Sequence, residues 1–134
     1  MTRILYHIVA IGCLLILSNC KKIEAPNADA AKIFGKWTYI SNSGGFSGAG
    51  GSSRFLEGST VEFTENGHFK VYEGSAEVSS EKFKIEMKES IYSLELSPAL
   101  VYTNGDYEIY QVLGQELFIS DNHYDGYTYV FEKL

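Results

Sequence analysis

The stretch Lys82-Phe83-Lys84-Ile85-Glu86-Met87-Lys88 decides the fold, because apolar and charged residues alternate along it without a break. Successive side chains of a β-strand point to opposite faces, so Phe83, Ile85 and Met87 would share one face and the four charged residues the other. A helix would scatter the same charges around its whole circumference. The stretch therefore predicts a strand with one face in a core and one face in water.

The same alternation recurs on both sides of this stretch and marks eight segments. They are residues 36–42, 59–64, 68–73, 81–88, 91–96, 106–113, 115–120 and 126–133. Short turn signals join neighbours: Glu65-Asn66-Gly67 is the strongest, and Lys88-Glu89-Ser90 and Leu113-Gly114-Gln115 are two more. Consecutive strands with short turns pair antiparallel, and eight strands with one apolar face remove their edges by closing. We predict an all-β, eight-stranded up-and-down antiparallel barrel, preceded by a short helical turn capped by Asp29.

The inward face of each segment follows from its apolar positions. The predicted inward residues are Trp37, Tyr39, Val61, Phe63, Phe69, Val71, Phe83, Ile85, Met87, Tyr92, Leu94, Leu96, Tyr107, Ile109, Leu117, Ile119, Tyr127, Tyr129 and Phe131. The sixth segment leaves an alternative open, because Tyr110 and Val112 form an equally apolar face. An aromatic content of 14% suits such a half-buried pleated surface.

The N-terminus has the organisation of an export signal. Arg3 precedes an apolar run over residues 4–17 that only His7 interrupts, and Lys21-Lys22 follow it closely. A helix that spans a membrane needs about 20 apolar residues, so this run is short for one. A basic tip before a short apolar segment is typical of a secretory signal.

The end of this segment, Leu17-Ser18-Asn19-Cys20, resembles the lipobox of bacterial lipoproteins, although Asn19 departs from its commonest pattern. The resemblance implies a cleaved signal peptide (1–19), a lipid-carrying Cys20, a lipidated tether (20–32) and a barrel domain (33–134). It also implies that the protein attaches to the membrane through the lipid on Cys20. Lys21 stands where an Asp would favour inner-membrane retention, and an acidic export run is absent, so we expect an outer-membrane anchor facing the periplasm. A signal anchor, or a signal cut elsewhere, is the alternative.

The first strand adds a second resemblance. Gly35-Lys36-Trp37 is similar to the G-x-W signature of the lipocalins, and the spacing Phe63 to Gly67 and the aromatic last segment match compact lipocalin-like domains of Gram-negative lipoproteins. This implies a barrel that binds a small apolar or amphipathic ligand. The candidate binding residues are Trp37, Tyr39, Phe46, Phe63, Phe69, Phe83, Tyr107 and Tyr129. The sequence departs from the lipocalin pattern in two ways. The predicted barrel is shorter than a typical lipocalin, and Lys133 is the one basic residue of the last segment that could cover Trp37.

Two loops could carry function. The glycine-rich segment 43–53, with Phe46 as its large apolar residue, is either a lid over the barrel mouth or a solvated linker. The run Asp121-Asn122-His123-Tyr124-Asp125-Gly126, with Glu132 beyond it, imitates a calcium loop, but that template needs flanking helices. A polar hairpin is the interpretation we favour.

Charge and side-chain chemistry exclude several classes of function. The chain has 11 basic and 17 acidic residues, and Arg3 is the one charged residue among the first 19, so the remainder carries a net charge of −7. No basic stripe is present, which argues against nucleic acid as a partner. His68 and His123 lack ligands at metal spacing, and no catalytic motif is present, so we predict no metal, no cofactor and no enzyme activity. Two functions stay open: a ligand-binding barrel, or an envelope interaction protein with a filled core.

Cys20→Ser tests the predicted anchor. We expect the variant to leave the membrane fraction, with its signal uncleaved or miscut, because the lipid is the predicted attachment. Fractionation at high salt, followed by immunoblotting, measures this. A variant that still pellets with membranes would contradict the lipoprotein interpretation.

Overall fold

The computed structural model describes residues 21–45 and 53–134 of the chain. In these residues eight antiparallel strands follow one another in sequence order around a closed barrel, in which the last strand pairs with the first. A 3-10 turn at Ala30–Ile33 precedes them. The strands are β1 (Gly35–Gly44), β2 (Thr60–Phe63), β3 (His68–Glu73), β4 (Ala76–Ser90), β5 (Ser93–Tyr102), β6 (Tyr107–Leu113), β7 (Glu116–Asp121) and β8 (Tyr127–Lys133). The predicted all-β barrel is confirmed.

The local signals behind this architecture also act largely as expected. Gly67 has a φ of 82° in the β2–β3 turn, and a Cβ there would lie 2.8 Å from the Phe83 carbonyl oxygen, so only glycine fits. The helical turn starts after Asp29, but Asp29 makes no side-chain cap bond. Asn27 caps the turn instead, because its Oδ1 accepts a hydrogen bond of 2.8 Å from the Ala30 amide.

Two strands run well beyond their predicted bounds. β4 begins at Ala76 instead of residue 81, and β5 extends to Tyr102 instead of residue 96. Pro98 lies inside β5, where it pairs with Met87 of β4, while pairing with β6 starts only at Ala99. A proline without an N–H is tolerated there because this part of β5 is an edge. The predicted turn at Lys88-Glu89-Ser90 is also wrong, because the chain turns at residues 91–92.

The core matches the predicted inward faces on most strands. Its buried members on the predicted faces are Trp37, Tyr39, Val61, Phe63, Phe69, Phe83, Ile85, Leu117, Ile119, Tyr129 and Phe131, with Val71 and Tyr127 packed against them and Met87 only partly buried. The prediction for β5 is wrong: Tyr92, Leu94 and Leu96 are exposed, and Leu100 and Tyr102 take the core positions.

On β6 the alternative face is the correct one. Tyr110 is buried in the main core, with Val112 packed against it. Tyr107 and Ile109 lie instead in a separate small cluster with Ala99 and Val101. The prediction that Tyr107 faces the barrel interior is therefore wrong.

One end of the barrel, here called the closed end, is sealed around Trp37. The indole Nε1 donates a hydrogen bond of 2.7 Å to the Ile33 carbonyl oxygen. Lys133 lies over the indole with its Nζ 4.1 Å from the ring centroid, and the same Nζ donates to the Phe34 carbonyl oxygen at 2.7 Å. Lysine thus covers the tryptophan without an arginine. Burial lowers the pKa of Lys133.

We expect Trp37→Ala to be among the most destabilising single changes. It removes a fully buried side chain, a satisfied Nε1–H bond and the platform under Lys133, at a cost of about 3–5 kcal/mol. Urea unfolding measures the loss. Tyr124→Ala, at an exposed aromatic position, is the control and should stay within about 0.5 kcal/mol of the native chain. Equal midpoints for both variants would contradict the packing described.

Candidate functional site at the barrel mouth

The segment after the glycine-rich loop turns into the barrel at the end opposite Trp37, here called the mouth. Phe55 of this segment is buried, and its ring centroid lies 5.2 to 6.4 Å from those of Phe131, Tyr129, Tyr39 and Phe69. Rings at these separations make favourable edge-on and tilted contacts. A loop residue therefore fills the centre of the barrel, in the space where an apolar ligand was predicted to lie.

Arg54 sits directly above this aromatic packing. Its guanidinium carbon lies 4.8 Å from the centroid of the Phe55 ring and 4.7 Å from that of Tyr129. An arginine held over two aromatic faces is attracted by their quadrupoles and loses much of its rotational freedom. Its side chain keeps 40% of its surface exposed, so Arg54 remains partly open to solvent.

Glu108 of β6 meets Arg54 in the interior. Only 6% of Glu108 is exposed, and Arg54 Nη2 lies 2.8 Å from its Oε1 and 3.0 Å from its Oε2. The hydroxyl of Tyr102, on β5, donates a further hydrogen bond to Oε2. A buried carboxylate requires partners of this kind, because an unpaired charge in the interior is strongly destabilising.

The protonation states support the same arrangement. Burial, and then the neighbouring charge of Glu108, raises the pKa of Tyr102 well above its ordinary value, so its hydroxyl remains a donor. Burial opposes the charge on Arg54, but attraction and hydrogen bonding to Glu108 outweigh it and raise the pKa of Arg54. Burial also raises the pKa of Tyr129 beneath the guanidinium. Arg54, Tyr102 and Glu108 form what we call the mouth triad.

A polar cleft of about 530 Å³ opens over the mouth triad. Besides the triad, it is lined by Glu81, Asn104, Gly105, Asp106, Tyr107, Asp121, Asn122 and His123. Most of these residues come from the β5–β6 and β7–β8 loops, which meet at this end of the barrel. The cleft can offer a ligand both hydrogen-bond donors and carboxylate oxygens.

A smaller and more apolar groove of about 290 Å³ adjoins the cleft. It shares Arg54 and Glu81 with the cleft, and its other walls include Phe55, Leu56 and Val78. Leu56 and Val78 are both exposed. The two depressions together present a polar cleft beside a groove of mixed polar and apolar lining.

The structure places the predicted binding residues in several positions. Six of them, Trp37, Tyr39, Phe63, Phe69, Phe83 and Tyr129, belong to the packed core. Tyr107 lies outside the interior but forms part of the cleft wall. Phe46, Cys20 and most of the predicted lid lie outside the described residues.

Sequence reasoning missed all three members of the mouth triad. One signal for Glu108 existed, since the alternative β6 face with Tyr110 and Val112 also carries Glu108 inward. A carboxylate on that face would have required a buried basic partner. The sequence around Arg54 or Tyr102 contains no comparable pattern that would indicate burial of either side chain.

The run that imitates a calcium loop does not form a metal site in the structure. Residues 122–126 join β7 and β8 as the polar hairpin loop that we favoured, with Asp121 at the end of β7. Strands, not the helices that a calcium loop requires, flank this loop, and Glu132 lies exposed on β8. Among residues 21–45 and 53–134, no group of three or more His, Cys, Asp or Glu side chains is placed to hold a metal ion.

No helix in the described part of the chain is long and apolar enough to cross a membrane.

Comparison with protein-family models found no match, and searches of curated protein sequences and of solved structures found no similar protein. The closed eight-stranded antiparallel barrel is itself compatible with a lipocalin-like fold.

Glu108→Ala tests the mouth triad. It leaves the Arg54 charge and the Tyr102 hydroxyl without their shared acceptor, so we expect a loss of about 1–3 kcal/mol, moderated by the partial exposure of Arg54. Glu116→Ala, at an exposed position on β7, should change stability by less than about 0.5 kcal/mol. Guanidinium unfolding compares the two, and an unchanged Glu108→Ala midpoint would show that the triad does not stabilise the fold.

Proposed function

We propose that the chain is a cell-envelope lipoprotein, anchored by a lipid on Cys20, whose lipocalin-like barrel binds a small amphipathic molecule at its mouth without enzymatic chemistry. The observation that carries this proposal is the cleft of about 530 Å³ above the mouth triad. Sites for small molecules are concave and place a few convergent polar groups in a shaped pocket. The mouth triad supplies such groups on a rigid floor.

The two adjoining depressions favour an amphipathic ligand over a purely apolar one. The barrel interior is occupied by Phe55 and the rings around it, so it offers no space for an apolar chain. A polar head group would occupy the cleft, and a short apolar tail would lie along Leu56 and Val78 in the groove. Arg54 and Glu81, which line both depressions, mark the point where head and tail would join.

The charge of the lining favours a cationic head group. Arg54 is already paired with Glu108, so the other charged groups of the lining are chiefly the carboxylates of Glu81, Asp106 and Asp121. Asp106 accepts a hydrogen bond from Asn104, and Asp121 Oδ2 lies 3.8 Å from His123 Nε2, but neither carboxylate has a lysine or arginine partner in the described part of the chain. A positive group in the cleft would lower their mutual repulsion, whereas a carboxylate head would increase it. The carboxylate oxygens of Glu81, Asp106 and Asp121 would accept hydrogen bonds from a cationic head group and orient the ligand.

The position of the tether is consistent with this arrangement. The Ile23 amide donates a hydrogen bond of 2.7 Å to the Glu65 carbonyl oxygen in the β2–β3 turn, and Lys22 forms an ion pair with Glu65. The chain therefore leaves the barrel at the closed end, three residues after Cys20. A lipid on Cys20 would hold the closed end towards the bilayer and direct the mouth away from it.

The second predicted function, an interaction protein with a filled core, agrees with the packing around Phe55. The cleft lies above that core, however, so a filled interior does not remove the ligand site.

Calorimetric titration with octylamine, octanol and octanoate tests the proposal on residues 21–134, which contain the whole barrel. We expect saturable one-to-one binding of octylamine, about tenfold tighter than that of octanoate, a difference of about 1.4 kcal/mol. Octanol should fall between them, because its tail is the same and its head is neutral.

Variants assign the two ends of the ligand. Glu81→Gln should weaken octylamine without weakening octanoate, and Leu56→Ser should weaken all three probes. Glu116→Gln, distant from the cleft on β7, is the charge-matched control and should bind as the native chain does. Absence of saturable binding by the native chain would overturn the ligand proposal.

A further inference from the structure

The β4–β5 hairpin leaves the barrel before it ends, and residues 86–98 are here called the arm. β5 pairs with β6 only from Ala99 to Val101, so the arm is attached to the barrel wall at its base. From its base near Pro98, the arm folds over the outer side of β6, and its tip at residues 91–92 reaches the β7–β8 loop. Asn122 holds its tip there, since Nδ2 donates to the Glu89 carbonyl oxygen at 3.1 Å and Oδ1 accepts from the Ile91 amide at 2.9 Å.

The outer strand of the arm exposes an unpaired stretch. Ser93 pairs with Ser90 and Ser97 pairs with Lys88, so Leu94, Glu95 and Leu96 form a bulge in the pairing with β4. The opposite edge of this strand is open, because β5 pairs with β6 only from Ala99 onward. Leu94 and Leu96 are also exposed, with large apolar side chains in solvent. An open strand edge with exposed apolar residues is a template for another strand.

The sequence of this stretch indicates which strand would fit. Ser93-Leu94-Glu95-Leu96-Ser97 reads the same in both directions. Two identical strands that pair antiparallel about a two-fold axis meet as a sequence and its reversal, so a palindrome places like beside like. We propose that a second copy of this chain pairs with this edge, with the axis at Glu95.

In this arrangement the apolar side chains match. Leu94 faces the partner's Leu96, Leu96 faces the partner's Leu94, and the serines pair at both ends. Cross-strand apolar pairs of this kind stabilise antiparallel sheets. A groove of about 380 Å³ lies beside the edge and offers the incoming strand both polar and apolar surface, since serines line it together with Pro98, Ile109 and Phe118.

The backbone of the arm is consistent with the same register. The Glu95 amide already donates to Ser93 Oγ at 3.1 Å. Residues in an antiparallel pair alternate between hydrogen-bonded and non-hydrogen-bonded positions. Leu94 and Leu96 would take the hydrogen-bonded positions, and Glu95 would face its counterpart in the non-hydrogen-bonded one.

The central pair limits the strength of association. Two Glu95 side chains face each other across the axis, and like charges directly opposite each other destabilise a pair of strands. Native self-association is therefore weak, and it depends on the charge at one position. Glu95→Lys reverses that charge, so a native chain and a Glu95→Lys chain would place opposite charges across the axis.

Co-purification of two differently tagged full chains, expressed together and extracted in mild detergent, tests the proposal. Native with native chains should give measurable recovery of the second tag. Native with Glu95→Lys should give several-fold more recovery than either native with native or Glu95→Lys with Glu95→Lys. A pairing centred on residue 95 predicts that order, because opposite charges face each other across the axis in the mixed pair alone.

The double variant Leu94→Ser, Leu96→Ser should lose co-purification while keeping the native far-ultraviolet circular dichroism, because both side chains are exposed. Leu113→Ser, at an exposed leucine on β6 that lines neither the cleft nor the groove, is the matched control and should co-purify as the native chain does. The proposal is overturned if native chains do not co-purify, if the mixed-charge pair shows no excess, or if the double variant associates normally.

Discussion

Pairing of β8 with β1 is the constraint on which the rest of the structure depends. It closes the sheet and so defines an interior that must be filled at close-packed density. The closed end is filled by Trp37 and the turn beneath it, whereas the mouth half takes Phe55 from the segment after the first loop. Insertion of Phe55 fixes its neighbour Arg54 at the rim, over two aromatic rings. Glu108 and Tyr102 can then be buried, because Arg54 satisfies the carboxylate from above.

The sequence was sufficient where a strand has one neighbour on each side and one face in the core. Trp37 and Tyr39 on β1, Leu117 and Ile119 on β7, and Phe131 on β8 all alternate with polar residues that face water. In such strands the period of two is enforced by burial itself, because a slip of one residue would expose the whole apolar set. Local pattern and tertiary environment then carry the same information.

The sequence was insufficient where a strand leaves the barrel or is covered on both faces. Leu94 and Leu96 alternate as well as any core pair, but the arm carries them away from the interior. β6 has apolar residues on both faces, because Tyr107 and Ile109 pack with residues of β5 on its outer side while Tyr110 lies in the core. The triad was equally hidden, since Arg54 and Glu108 are 54 positions apart and meet only after closure. No short window of sequence contains such a pairing.

The arm and the cleft share one wall, which links the two proposed interactions. Asn122 and Tyr107 line the cleft, and the same Asn122 amide and Tyr107 hydroxyl bond to the arm at Glu89. Tyr92 adds a hydrogen bond from its hydroxyl to the Asp121 carbonyl oxygen, in the loop that bounds the cleft. Any change in how the arm docks therefore moves groups that a ligand would touch. Because coupling between two binding equilibria is reciprocal, a ligand that alters self-association must have its own affinity altered by the same factor. On this geometry, the proposed binding at the mouth and the proposed pairing through the arm would both depend on the position of the β7–β8 loop.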